Sequence, residues 1–254
     1  MIRGVVFDLG GTLMYFDGDW DAVSARGDAE MCAYFDSRGY PLPVSFAENF
    51  RALREAGRKR ATETHFEYTA EQALNDTLTQ HNICWIPDGV LPYAVKKYFD
   101  GEEALWRAYE DARALLEILR ARGLKLALLS NATDHALIER MTRNAELAEF
   151  FDPLLSSAKI LHRKPDPRAF QPILDAWQIP AHEIVMVGDA PSFDILGAHR
   201  AGLRGVLIEG REPTGASHFK PQLQGNDEPL LQPDAMISQL SELPDVIEAM
   251  NGEK

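Results

Sequence analysis

A few polar residues stand directly after short apolar runs, and their types could do chemistry together. Val5-Val6-Phe7 leads into Asp8, with Gly10 and Thr12 close behind. Leu124 to Leu129 leads into Ser130-Asn131, and Ile184 to Val187 into Gly188-Asp189, with Asp194 five residues on from Asp189. Lys164-Pro165-Asp166 lies between the second and the last of these clusters. Carboxylates serve as nucleophiles or as oxygen ligands to hard cations. A lysine and hydroxyls beside them can neutralise or hold an anion.

The apolar runs predict the elements that must bring these residues together. Four to six apolar residues with little alternation suit parallel strands covered on both faces. Gly205-Val206-Leu207-Ile208 is a further run of this kind, and Ala235-Met236-Ile237 predicts a last short strand before a helix near Pro244 to Met250. Helical patterns separate the strands. Ala112, Leu115, Leu116 and Leu119 share a face before Gly123, a residue type that often follows a helix end. Asp166-Pro167 caps the next helix, in which Phe170, Ile173, Leu174 and Trp177 share a face. Strands alternating with helices predict an α/β fold with a doubly wound parallel sheet. Such sheets place the active site beyond the carboxyl ends of their strands, where the polar clusters fall.

From about Gly18 to Leu105 only helical periodicity is present. Trp20, Val23, Met31, Tyr34 and Phe35 line one stripe, and Ser45-x-x-Glu48 and Thr69-x-x-Gln72 read as capping boxes. This stretch predicts an all-helical insertion after the first strand. Residues 210–227, polar and rich in Gly, Pro and Gln, predict a long loop.

The order Asp8-Leu9-Gly10-Gly11-Thr12, Ser130-Asn131, Lys164-Pro165-Asp166 and Gly188-Asp189 to Asp194 resembles the haloacid dehalogenase-like hydrolase superfamily, a family of aspartyl-nucleophile phosphohydrolases and their relatives. The resemblance spans nearly the whole chain. It implies a Rossmann-like core domain from residues 1–17 and 106–254 and a helical cap domain from residues 18–105. It also implies that Asp8 attacks phosphorus to form an aspartyl-phosphate. Thr12, Ser130, Asn131 and Lys164 would hold the transferring group, and Asp8, the Gly10 carbonyl, Asp189 and Asp194 would hold Mg²⁺. The implied substrate is a small phosphate ester or another activated phosphate.

One position departs from the family pattern. Most phosphatases of the family carry a second Asp two residues after the nucleophile, as acid and base, and this chain has Gly10. That places in question a step worth about 10²–10⁴-fold. The explanations weighed are a weakened enzyme that binds phosphometabolites or partners, a substrate needing little leaving-group assistance, or an acid from the cap, with Asp17 the candidate. Haloacid dehalogenases also lack this Asp, but they lack the metal-binding Asp as well, and Asp189 and Asp194 are both present here. Phosphonoacetaldehyde hydrolases use a cap lysine as a Schiff base, and Lys59, Lys96 and Lys97 are the cap lysines; each is read as a solvated surface charge.

The chain has 254 residues and a net charge of −13, from 26 Lys and Arg against 39 Asp and Glu. That surplus disfavours nucleic acid and anionic membranes as partners. The start of the chain lacks a signal-peptide pattern, and no segment approaches the roughly 18 apolar residues of a membrane span, so a cytoplasmic enzyme is expected. Cys32 and Cys84 read as small buried hydrophobes. Asp17-Gly18-Asp19-Trp20-Asp21 begins like a calcium loop, but Ala22 and Asp28 occupy the positions of its Gly and Glu. His162 and Arg163, just before Lys164, could touch substrate, but read first as surface or packing residues.

Overall fold

The computed structural model describes residues 1–83, 85–211, 221, 223 and 225–252. Cys84 and most of the expected loop at 210–227 lie outside the described residues. The central sheet has the order β5-β4-β1-β6-β7-β8, all parallel, formed by β1 (Gly4–Phe7), β4 (Lys125–Ser130), β5 (Leu154–Ser156), β6 (Ile184–Gly188), β7 (Arg204–Ile208) and β8 (Ala235–Ile237). This is the doubly wound, Rossmann-like α/β sheet expected from the apolar runs.

Alternation along the strands feeds two cores. Val5, Phe7, Leu126, Leu128, Val185 and Val187 point to one face, where α5 (Ala112–Ala121), α6 (His135–Asn144) and α10 (Leu243–Gly252) supply Leu116, Ile138 and Ile247. Val6, Ala127, Leu129 and Met186 point to the other, against Phe170 and against Ile173 and Trp177 of α8 (Gln171–Trp177) and Ala198 of α9 (Leu196–Arg200). With both faces covered, the strands read as continuous apolar runs. The short helix α7 (Ser157–Ile160) follows β5 directly.

The helices α1 (Trp20–Ser37), α2 (Phe46–Thr64), α3 (Ala70–Gln80) and α4 (Val90–Glu103) form the insertion. Asp19 caps α1, its carboxylate accepting from the Asp21 and Ala22 amides, which gives this acidic stretch a helix-starting role in place of a calcium loop. Thr69 and Gln72 form the expected capping box. Ser45 does not: it has a helical conformation and its side chain makes no cap hydrogen bond. A capping side chain needs an extended backbone at its own position to reach back to the first turn. A two-stranded antiparallel ribbon, β2 (Met14–Phe16) with β3 (Trp106–Ala108), joins the chain where it enters and leaves the insertion. The ribbon and β5 are not predicted by the periodicity. Among the described residues no helix is long and apolar enough to cross a membrane.

Candidate active site

The central strands aim their ends at one place. β1 lies between β4 and β6, with Phe7 paired to Leu128 and to Val187. The chain leaves β1 at Asp8, whose amide donates to the Val187 carbonyl at 2.9 Å. Ser130 ends β4, Asp189 follows β6, and Asp194 lies in the π-helical turn Pro191–Ile195.

Lys164 comes from the loop before α8 and is 1% exposed. Asn131 fixes its backbone from both sides: the Asn131 amide donates to the Lys164 carbonyl at 3.0 Å and its oxygen accepts from the Lys164 amide at 2.9 Å. That side-chain amide is therefore committed to positioning Lys164, although Asn131 also lines the cavity. The Lys164 ammonium lies 2.6 Å from Asp8 Oδ1 and 2.7 Å from Asp194 Oδ1. Asp194 is further held through Oδ2, which accepts from the Ala190 amide at 3.0 Å.

Two glycines make room for the carboxylates. A Cβ on Gly188 would lie 2.2 Å from Asp194 Oδ2. Gly11 has φ +81°, and a Cβ there would lie 2.3 Å from Asp189 Oδ2. Both distances are far inside van der Waals contact, and the positive φ independently favours glycine.

One lysine does not neutralise this cluster. Burial pushes Asp8 up to about 6, with Lys164 opposing the rise and Asp194 adding to it. Burial, reinforced by Asp8 and Asp194, pushes Asp189 up to about 8. Burial alone would lower the Lys164 ammonium, but Asp194 and Asp8 reverse this and raise it. Carboxylate oxygens of Asp8, Asp189 and Asp194 lie within 4.8 Å of one another. An all-oxygen set with uncompensated negative charge fits a hard divalent cation.

The cavity beside the cluster measures about 120 Å³ and is also lined by Ser130, Gly10 and Arg163. Trp20, Trp106, Ile138 and Met141 form an apolar wall. Trp20 stacks on Phe16 at 3.7 Å between centroids and meets Trp106 at 6.1 Å, so this wall forms where the insertion begins and ends.

Other candidates fall elsewhere. Thr12 is fully buried, its hydroxyl has no hydrogen-bond partner among the described residues, and it does not line the cavity. Asp17 is exposed and off the cavity. Lys96 and Lys97 both pair with Asp100, and Lys59 is exposed. His162 packs against Phe66 at 4.7 Å, and Cys32 is half-buried. Arg163 is 7% exposed and lines the cavity, which excludes the surface reading and fits the substrate-contact alternative. No spacing signal marks it, because its direction is set by a bridge between Phe66 and His162 and by its amide donating to the His65 carbonyl at 3.0 Å.

Similar proteins share this architecture. The chain is 27% identical over 245 residues to a glyceraldehyde 3-phosphate phosphatase of Methanothermobacter thermautotrophicus, covering 96% of this chain and 100% of the relative. It is 39% identical over 111 residues to a phosphoserine phosphatase of Thermus thermophilus, a match spanning 44% of either chain. The crystal structure of a 2-haloacid dehalogenase from Pseudomonas syringae superposes with a TM-score of 0.64 at 24% identity, covering 98% of this chain and 99% of that one. A model described as haloacid dehalogenase-like hydrolase matches residues 2–202. A match of that length makes this protein a member of the haloacid dehalogenase-like hydrolase family.

Proposed function

We propose that the protein is a Mg²⁺-dependent phosphatase of a small phosphorylated metabolite, acting in the cytoplasm through an aspartyl-phosphate on Asp8. The observation that carries this reading is the buried Lys164 ammonium, 2.6 Å from Asp8 Oδ1, beside carboxylates gathered within 4.8 Å. The similarity to a phosphoserine phosphatase and a glyceraldehyde 3-phosphate phosphatase supports phosphate-ester hydrolysis. The retained Asp189 and Asp194 speak against dehalogenation, which needs no metal.

In this reading an Asp8 oxygen forms a bond to phosphorus while the ester P–O bond breaks, its electron pair leaving on the alcohol oxygen. Water then attacks the same phosphorus, and the P–O bond to Asp8 breaks to give the free carboxylate and hydrogen phosphate, which keeps one water proton. The other goes to solvent, which supplies the proton taken up by the departed alcohol oxygen. Lys164 holds Asp8 in place and offsets charge on the phosphoryl oxygens. Ser130 donates to the transferring group. Asp8, the Gly10 carbonyl, Asp189 and Asp194 would hold Mg²⁺, which when bound supplies charge stabilisation to the phosphoryl group. The helical insertion, residues 18–105, serves as a cap over a core of residues 1–17 and 106–254, with Trp20 and Trp106 excluding water from the cavity.

Asp8, Asp189 and Asp194 are the carboxylates that line the cavity among the described residues, and each is engaged as nucleophile or ligand in this reading. With Gly10 in place of an acid, the leaving group must depart with little protonation, which favours aryl and acyl phosphates. Phosphate release across a panel of phosphate esters, with Mg²⁺ or with chelator, tests the function. Metal-dependent release that is lost in Asp8→Asn is expected. Tight binding of esters without release would instead identify a protein that has kept the pocket and lost the reaction.

A further inference from the structure

Arg163 is a buried cation that the phosphoryl chemistry does not use. Its Nε is buried without a hydrogen-bond partner among the described residues. A buried charged donor left unsatisfied is costly. The carboxylate beside it is Glu67, whose Oε2 lies 3.5 Å from Arg163 Nη1. That is longer than an ordinary N–H···O hydrogen bond, and the same oxygen already accepts the Ser157 hydroxyl.

Two more arginines stand behind it. Arg54 and Arg58, one turn apart on α2, each also keep a buried Nε without a partner among the described residues. Arg54 lies 4.6 Å from the Tyr98 ring centre. Burial and then Arg54 push Arg58 below the usual arginine range, and Arg163 adds to the effect. The half-buried Glu102 offsets part of the charge of Arg54 and Arg58. Asp28 beside Arg54 and Glu55 beside Arg58 offset the rest of their charge, so the cation that borders the cavity is Arg163 itself.

We propose that Arg163 is a second anion-binding point, which selects phosphate esters whose leaving group carries a carboxylate. The inference rests on the reading of Asp8 and Lys164 as the phosphoryl end. A planar guanidinium that is only loosely paired with Glu67 and has an unpartnered Nε matches a carboxylate in fork geometry. Asp8, Lys164 and Arg163 line one cavity of about 120 Å³, so the two anionic groups belong to one small molecule.

The test uses inert ligands, so it does not depend on turnover. Calorimetric titration in Mg²⁺ compares phosphonoacetate with propylphosphonate, which share the phosphonate and differ in the carboxylate. Hydrogen bonds to charged groups predict that phosphonoacetate binds roughly 10- to 100-fold more tightly. In Arg163→Met the ratio should fall to about one. The double variant Arg163→Met/Glu67→Gln removes the charge left on Glu67 and should give the same ratio if the single variant folds poorly. Equal affinities in the parent protein, no binding of phosphonoacetate, or a preference that survives in either variant would overturn the proposal. Phosphate release from esters, measured separately, reports whether the phosphatase reading itself fails.

Discussion

Removing one carboxylate from the cluster should stabilise the metal-free protein, and the gain should grow with pH. Asp189 is pushed from 3.8 up to about 8 by burial and by Asp8 and Asp194. In the unfolded chain it ionises at the ordinary value, so between these pH values the folded state binds the extra proton. Stability is therefore fully present below the unfolded pKa and is lost as pH rises toward 8. The loss is at most about 1.4 kcal/mol per pH unit. Up to pH 7 that sums to about 4 kcal/mol, and solvent access to the partly exposed carboxyl brings it to roughly 2–4 kcal/mol. An asparagine side chain carries no charge at any of these pH values, so the Asp189→Asn variant escapes the penalty. In a protein of this size each 1 kcal/mol moves Tm by roughly 2–4 °C. Melting in chelator should then show Asp189→Asn roughly 5–15 °C above its parent at pH 7, with the gap narrowing toward pH 5. Saturating Mg²⁺ should raise the parent's Tm more at pH 8 than at pH 5, and should raise the variant's little. Parallel Tm-against-pH curves for the two proteins in chelator would refute the charge argument.

Further substitutions test other parts of the site. Gly10 is not among the glycines with positive φ, so Gly10→Asp imposes no left-handed strain, and it should raise turnover of an alkyl phosphate by up to roughly 10²–10⁴-fold. No gain in steady-state rate, in a variant that is folded and binds metal, would mean that another group already supplies the proton. Gly11→Ala should cost about 1–3 kcal/mol through its backbone conformation and weaken Mg²⁺ binding by displacing Asp189, both readable by urea denaturation with and without metal. Lys164→Met leaves Asp8 and Asp194 buried without their cation and should cost about 3–5 kcal/mol in metal-free denaturation, while also abolishing phosphate release.

Much of this site was legible because strong local signals coincide. Val5-Val6-Phe7 and Ile184 to Val187 can be buried on both faces only inside a covered parallel sheet, and that sheet brings Asp8 and Asp189 to adjacent strand ends. Asp19 and Thr69 start helices through contacts within three residues, so neighbouring sequence suffices to identify Thr69 as a cap. What was not legible depends on tertiary partners. β2 and β3 are three residues each and stabilise only across the whole length of the insertion. Ser45 has a capping side chain but a helical backbone set by the turn before it. Arg163 differs from a surface arginine only because residues 65–67 run alongside residues 161–163 and bury it. Asn131 reads as a substrate contact by position, yet its amide is used on the Lys164 main chain.

The nucleophilic role of Asp8 is tested most directly by trapping. The protein is mixed with an aryl phosphate and Mg²⁺, quenched in acid during turnover, digested, and the peptide containing Asp8 is weighed. One phosphoryl group on that peptide, bound as a hydroxylamine-labile acyl phosphate, is expected, and none in Asp8→Asn. The adduct should decay slowly, since Gly10 offers no base to the attacking water. Phosphate release that proceeds with the Asp8 peptide unmodified, or that persists in Asp8→Asn, would contradict the nucleophilic role of Asp8.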